Sequence, residues 1–463
     1  MEQNKQSNER LDGKFAFFHA TSVSGPAMVI AAAMASFLSI HMTDNLGISA
    51  TSGALIMLIA TLWDAINDPM MGVLADRTKS KWGRYRPYFL PAPLLLTFFA
   101  TMVWVVPDFS ASGKWWYFLL MYIGYGMTVT MYTMPQMAIL PAHVKEDRNR
   151  NLIISLGAGA TAISFTIGSS FGMDIKAWFE ATLGVSNGYI PFMLILGALS
   201  CVTFWGLFGS AKEKYIEPLP DRPLSADLKR ILKHKELAPF IVVWVLASLG
   251  YGLGFAASVY YVMYYWARPD LIGTYMALTS PAGIISMMVV MPLVLKYLKT
   301  AQKALAFSVF ASGIFFVALF FFGKTNFILL VVLSFAAAMF STMQNALVNV
   351  LVNDAIDYIQ FTEGISANGV ISSIKGFAQK CGNALTNSGV LFVLGLVGYV
   401  PNAIGQQNEA TMFAINFLRF GAPVVIGLLM LFALRFNPVD KHREDIAAMK
   451  SMIRDHSDDN HEA

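Results

Sequence analysis

The chain has 463 residues, of which 56% are hydrophobic and 13% charged, against roughly 25% charged in a soluble domain. That excludes an ordinary water-soluble enzyme. Lys and Arg number 33 against 29 Asp and Glu, a net charge of +4, and the placement of these charges says more than their sum.

Crossing the hydrocarbon takes about 20 mostly apolar residues in a helix. Twelve such stretches follow a polar, mixed-charge tail of residues 1–13. The first six are Lys14 to Ile40, Ser52 to Ala75, Pro87 to Val106, Trp115 to Leu140, Asn151 to Phe171 and Tyr189 to Gly209. The tail has no apolar core, so the first span itself serves as the insertion signal. A polar linker follows at 211–238, broken by Pro218, Pro220 and Pro223 and ending in a short amphipathic stretch. The second six spans are Pro239 to Trp266, Gly273 to Leu295, Lys303 to Phe322, Phe327 to Val350, Ile365 to Val397 and Thr411 to Phe436, with a charged tail at 437–463. The expected fold is an all-α membrane protein. Two six-helix halves, 14–210 and 239–436, are joined by a basic cytoplasmic linker in the major facilitator arrangement.

Basic residues stay on the cytoplasmic side. With the N-terminus inside, 26 Lys and Arg fall on that side, and the opposite side has only Lys114, Lys176, Arg268 and Lys324. Both termini are therefore expected in the cytoplasm. The basic character is a topology device rather than a nucleic-acid surface. Cys201 and Cys381 lie in apolar stretches, so neither a disulfide framework nor a thiolate metal site is expected. The seven His residues show no ligand spacing.

An ionisable residue inside a span is costly unless it is paired or faces water. The second span contains TLWDAINDPMMG, in which Asp64 and Asp68 are four apart and Asn67 lies between them. Four residues apart stacks the carboxylates on one helix face about 6 Å apart, where their repulsion couples their titration. A bound Na⁺ or H⁺ relieves that repulsion, and carboxylate and amide oxygens are hard ligands suited to an alkali ion. The plainer alternative is a pair that braces a helix kinked at Pro69. Lys380 lies halfway along the eleventh span and cannot readily snorkel. Facing the same cavity as the Asp pair, it would leave a centre of charge −1 when empty and 0 with one cation bound. Lys375 and Arg419 lie nearer span ends and can snorkel.

Three stretches carry a resemblance. DAINDPMMGVLADRTKSKWGRYRPY from Asp64 to Tyr88, GYGMTVTMYTMP from Gly124 to Pro135, and NDAIDYIQFTEGISANGVISSIKGFAQK from Asn353 to Lys380, continued by LGLVGYVPN from Leu394 to Asn402, resemble the glycoside-pentoside-hexuronide:cation symporter family, typified by melibiose permease. The likeness runs from about Phe15 to Asn437. It implies a cation site of Asp64, Asn67, Asp68 and the Thr130 hydroxyl, with Lys380 coupling sugar and cation. It also implies a cytoplasmic gate of Asp76, Arg77, Arg84 and Arg86, and an aspartate-rich loop beginning at Asn353. The family's sugar-binding acids are missing. The first span has none between Phe15 and Met42, the fourth-helix acid is Thr133 with Met137 beside it, and the fifth-helix arginine is Gly157. Candidates for a replacement pocket are His19, Thr133, Tyr260, Tyr264, Gln344, Asn345, Gln379 and Asn383, each of which also suits an interhelical hydrogen bond.

The sequence therefore points to a Na⁺- or H⁺-coupled symporter of a sugar, glycoside or hexuronide. It is expected to be monomeric in a bacterial inner membrane, without cofactor or nucleic-acid partner. A carrier of a non-sugar solute and a non-transporting sensor of the same fold are the alternatives. No nucleophile–base set or metal cluster suggests an enzyme.

Overall fold

The computed structural model describes residues 11–215, 234–363 and 368–437, with Val439, His442, Asp445 and Ile446 beyond. The rest of the expected linker and both tails lie outside the described residues. No strand occurs among the described residues.

Twelve helical rods follow in order. They are α1 (Gly13–Asn45), α2 (Ala50–Arg77), α3 (Ala92–Met102), α4 (Ala111–His143), α5 (Asp147–Leu183), α6 (Tyr189–Ser210), α7 (Lys235–Tyr265), α8 (Pro269–Leu298), α9 (Ala301–Phe322), α10 (Phe327–Glu363), α11 (Asn368–Leu396) and α12 (Glu409–Leu434). Among the described residues, nine of them are long and apolar enough to cross a membrane by length and composition. The exceptions are α3, which is short, and α4 and α11. Most polar residues of α11, among them Ser373, Lys375, Gln379, Lys380 and Asn383, fall on one broad stripe, the pattern of a helix with one face not given to lipid.

Several rods run beyond the apolar stretches. α5 passes Phe171 for a further three turns, supported by the Lys176–Glu180 pair at 2.8 Å, until Gly184 adopts φ 65° and ends it. The residues after Asn353, expected as a loop from the resemblance, are helical to Glu363. Leu351, Ala355 and Ile359 are fully buried there, one apolar stripe that carries the helix onward. α1 breaks where Gly25–Pro26 interrupts it.

The chain divides into two compact units, residues 1–219 with 259–278 and 391–412, and residues 220–258 with 279–390 and 413–463. In the first, α1 packs on α5, α2 on α4, and α3 on α6. A Cβ on Gly168 of α5 would lie 2.4 Å from the Val29 carbonyl of α1, so the two backbones meet where only glycine fits. In the second unit α9 packs on α10 and α12. Its core includes Phe240, Trp244, Leu305, Leu347, Ile359 and Ile371. Gly382 of α11 repeats the close approach, its Cβ position being 2.6 Å from the Val245 carbonyl of α7.

An internal repeat is written into the backbone. α1 ends in a widened turn in which Leu46 N–H donates to His41 O (3.0 Å) and Ile48 N–H to Met42 O (3.1 Å). At the end of α7, Trp266 N–H donates to Tyr261 O (2.9 Å) and Arg268 N–H to Val262 O (3.2 Å). Gly47 and Ala267, at φ 71° and 53°, complete the match, and every pair is offset by the 220 residues that separate Asp44 from Tyr264.

Candidate functional site

Within the first unit α2 and α4 run in the same chain direction, so one turn along α2 faces one turn along α4. Thr130 Oγ1 donates to Asp68 Oδ1 at 2.8 Å. One turn earlier on both helices, Asp64 lies against Gly126, where a Cβ would fall 2.5 Å from Asp64 Oδ1. Asp64 and Asp68 are half-buried and Asn67 is buried. Asn67 Nδ2 is buried without a hydrogen-bond partner. Because the two ends of an amide exchange by a half-turn, the same place can present Oδ1, which suits a cation. The structure thus brings Thr130 to Asp68 and Gly126 to Asp64, with Asn67 buried on the same helix between the two carboxylates in sequence. Glycine carries no chemistry to notice in a sequence. Its only signal is its place, one turn before Thr130.

In the second unit Lys380 is half-buried on the polar stripe of α11, with Gln379 half-buried and Asn383 exposed beside it. Gln344 Nε2 donates to Ser312 Oγ (2.6 Å) and Ser308 O (3.2 Å), tying α10 to α9. Asn345 is half-buried, and its carbonyl accepts from Asn349 Nδ2 at 3.1 Å. Arg419 turns inward, its Nη1 donating to Gly254 O at 2.8 Å.

The remaining pocket candidates lie in the first unit. His19 is buried, its Nε2 3.1 Å from Gln136 O, and Gln136 Nε2 donates to His19 O at 3.2 Å. Gln136 was not visible as a partner because its own helix neighbours give no hint of α1. Thr133 Oγ1 donates to Val129 O at 2.9 Å in its own helix. Tyr260 and Tyr264 are buried at the end of α7, where Tyr264 donates to Asp44.

The gate residues form a different set of contacts from paired charges. Asp76 accepts from the Tyr85 phenol at 2.9 Å. Arg86 donates through Nε and Nη2 to Phe208 O (3.0 and 2.8 Å) and lies over the Phe208 ring. The main-chain N–H groups of Arg84, Tyr85 and Arg86 all donate to the Glu213 carboxylate, at 2.7, 2.8 and 3.2 Å. Glu213, hidden among the charges of the linker in the sequence, clamps the basic loop. The residues beside it are pinned too. Lys212 N–H donates to His143 Nδ1 at 2.8 Å, and Lys214 and Tyr215 N–H donate to Ala142 O at 2.9 Å. Burial and the hydrogen bond to Asp76 push the Tyr85 phenol up to about 12. A raised pKa means the contact's contribution is present below the ordinary tyrosine value and is lost only as pH rises through about 12, so it is constant at physiological pH.

Comparison with known proteins places this chain among transporters. The family model described as MFS/sugar transport protein matches residues 21–441. An uncharacterized symporter of Bacillus subtilis, YnaJ, is 27% identical over 436 residues, covering 92% of this chain and 91% of the relative. The glucuronide carrier protein homolog of Escherichia coli is 24% identical over 417 residues, with 89% of each covered. The isoprimeverose transporter of Lactiplantibacillus pentosus is 23% identical over 414 residues, 88% of this chain and 85% of that one. Among solved structures, a bacterial homolog of the human lysosomal transporter Spinster superposes with a TM-score of 0.67 at 12% identity, covering 92% and 96%. The nucleoside transporter NupG gives 0.62 at 12% identity, covering 92% and 99%. These two share the fold.

Proposed function

The chain belongs to the MFS/sugar transport protein family, is a sugar or glycoside transporter rather than an enzyme, and on that premise we propose that it couples inward movement of its substrate to Na⁺ or H⁺. The observation that carries this reading is the in-register meeting of α2 and α4: two carboxylates four residues apart, a hydroxyl on one and a glycine against the other. Oxygen ligands of this kind hold a hard monovalent ion. A proton on either carboxylate relieves the same repulsion.

Lys380 serves as the coupling residue, and Gln379, Asn383, Asn345 and Thr133 are the first places to look for substrate contacts. The placement of basic residues supports both termini on the cytoplasmic side, and the bacterial symporters among the relatives support a bacterial inner membrane. Relatives named for isoprimeverose and glucuronide support a sugar or sugar acid as substrate.

The test is uptake in a transport-deficient host offered neutral glycosides, pentosides, uronides and non-sugar acids, with the Asp64→Asn variant beside the parent. Accumulation of one sugar class, dependent on a Na⁺ or H⁺ gradient and lost in the variant, is the expected result. Accumulation of a non-sugar alone, or uptake indifferent to Asp64→Asn, overturns the reading. A finer test removes the Thr130 hydroxyl. Thr130→Val takes one hydrogen bond from a charged partner, so the cation concentration for half-maximal uptake rises about tenfold, with maximal uptake near that of the parent.

A further inference from the structure

Asp44 is the only acidic residue of α1, and no element of the cation site uses it. It sits at the end of the first unit opposite the basic loops, inside the widened turn that closes α1. Its carboxylate accepts from three hydroxyls: Thr43 Oγ1 and Tyr399 OH, each at 2.8 Å, and Tyr264 OH. Its main-chain carbonyl accepts from Asn402 Nδ2 at 2.9 Å, and Asn402 N–H donates to the Tyr264 oxygen at 3.1 Å. These groups come from the end of α1, the end of α7 and the segment between α11 and α12, up to 358 residues apart. The rings of Tyr260, Tyr264 and Tyr399 pack edge-on and stacked around the bonds, with centroids 5.2 to 6.3 Å apart. Tyr260 and Tyr264 are fully buried and Tyr399 nearly so.

We propose that Asp44 is the bolt of a carboxylate–phenol latch that holds the ends of α1 and α7 and the segment 397–408 together, and that drawing this bolt opens the protein on the side opposite its basic loops.

Three features fit a latch better than a permanent brace. Every side-chain donor on the carboxylate is a neutral hydroxyl, and water can replace each one at modest cost once the segments part. Both helices that carry the bolt end in widened turns, elements that recur where a helix must adjust. The contacts also hinge on one residue, since a single carboxylate accepts from both the Tyr264 and the Tyr399 phenol. That the opening admits substrate from outside rests on the symporter reading above; the latch itself does not.

The test is a distance measurement in lipid nanodiscs, without substrate or ion gradient. Cys201 and Cys381 are replaced by serine and nitroxide labels are placed at Asp108→Cys and Gln406→Cys, both exposed positions whose side chains make none of the latch bonds, the second within the segment the latch holds. Pulsed dipolar spectroscopy of this parent should give one dominant short distance. Asp44→Ala should add a longer one, with the ratio of open to closed raised about tenfold or more, the effect of losing hydrogen bonds to a charged group. Tyr264→Phe combined with Tyr399→Phe keeps the rings packed while removing both donors, so it tests the same point in a chain whose core is intact, and the same shift is expected. Parent-like distances in Asp44→Ala and in the double variant overturn the latch, even where uptake is concentrative. A parent that accumulates no sugar overturns the symporter reading and leaves this measurement standing.

Discussion

Replacing Asp68 with asparagine is expected to abolish cation-driven accumulation and to leave the protein folded. The amide can still accept from Thr130 Oγ1, which now reaches Asp68 Oδ1 at 2.8 Å, so the packing of α2 on α4 is kept. What disappears is one of two negative charges held in a half-buried position inside a membrane helix. A charge there is expensive, and removing it costs the fold little. The coupled pair then has nothing to balance, because a single carboxylate no longer needs a cation to relieve a neighbour. The substrate level inside should fall to the level outside, while yield and size-exclusion profile stay close to the parent's. Undiminished accumulation in this variant would mean that the coupling ion binds elsewhere.

The second large effect is expected at a residue without a side chain. Gly126→Val puts a Cβ 2.5 Å from Asp64 Oδ1, where ordinary contact begins near 3.4 Å, so the carboxylate must move by about 1 Å or the helices must part. Displacing a ligand's support typically costs 10–100-fold in affinity for the ion, and valine's branches add to the crowding. The cation concentration for half-maximal uptake should rise by at least that factor. Gly313→Val on α9 is the control, because a Cβ there meets nothing within 4 Å. Equal behaviour of the two variants would remove Gly126 from the site.

Much of this molecule is legible before any coordinates. Twelve apolar stretches anticipate the twelve helical rods among the described residues, because the solvent is lipid, although α3, α4 and α11 fall short of a span by length or composition. Asp64 and Asp68 stand out because four residues is one helical turn and charge is rare in a span. What escapes the sequence is what depends on a distant partner. Gly126 has no chemistry until Asp64 lies against it, and Thr130 entered only through family resemblance. Glu213 is one charge among many until three main-chain amides converge on it. Helix length also escapes, since α5 and α10 extend past their apolar cores on contacts that hydropathy does not measure. Asp44 escapes for a similar reason: a carboxylate at the end of a span reads as solvated, and its two tyrosines arrive from 220 and 355 residues away.

The bond between Asp44 and Tyr264 joins residues that occupy the same place in two copies of one motif. In a symmetric dimer of identical halves, the position that meets its own counterpart carries one residue type on both sides. Aspartate against aspartate would repel, and tyrosine against tyrosine would lack the anion. A donor can stand opposite an acceptor there only when the two copies can mutate independently. Joining both copies in one chain of unlike halves permits this contact, and a version built of identical halves could not make it.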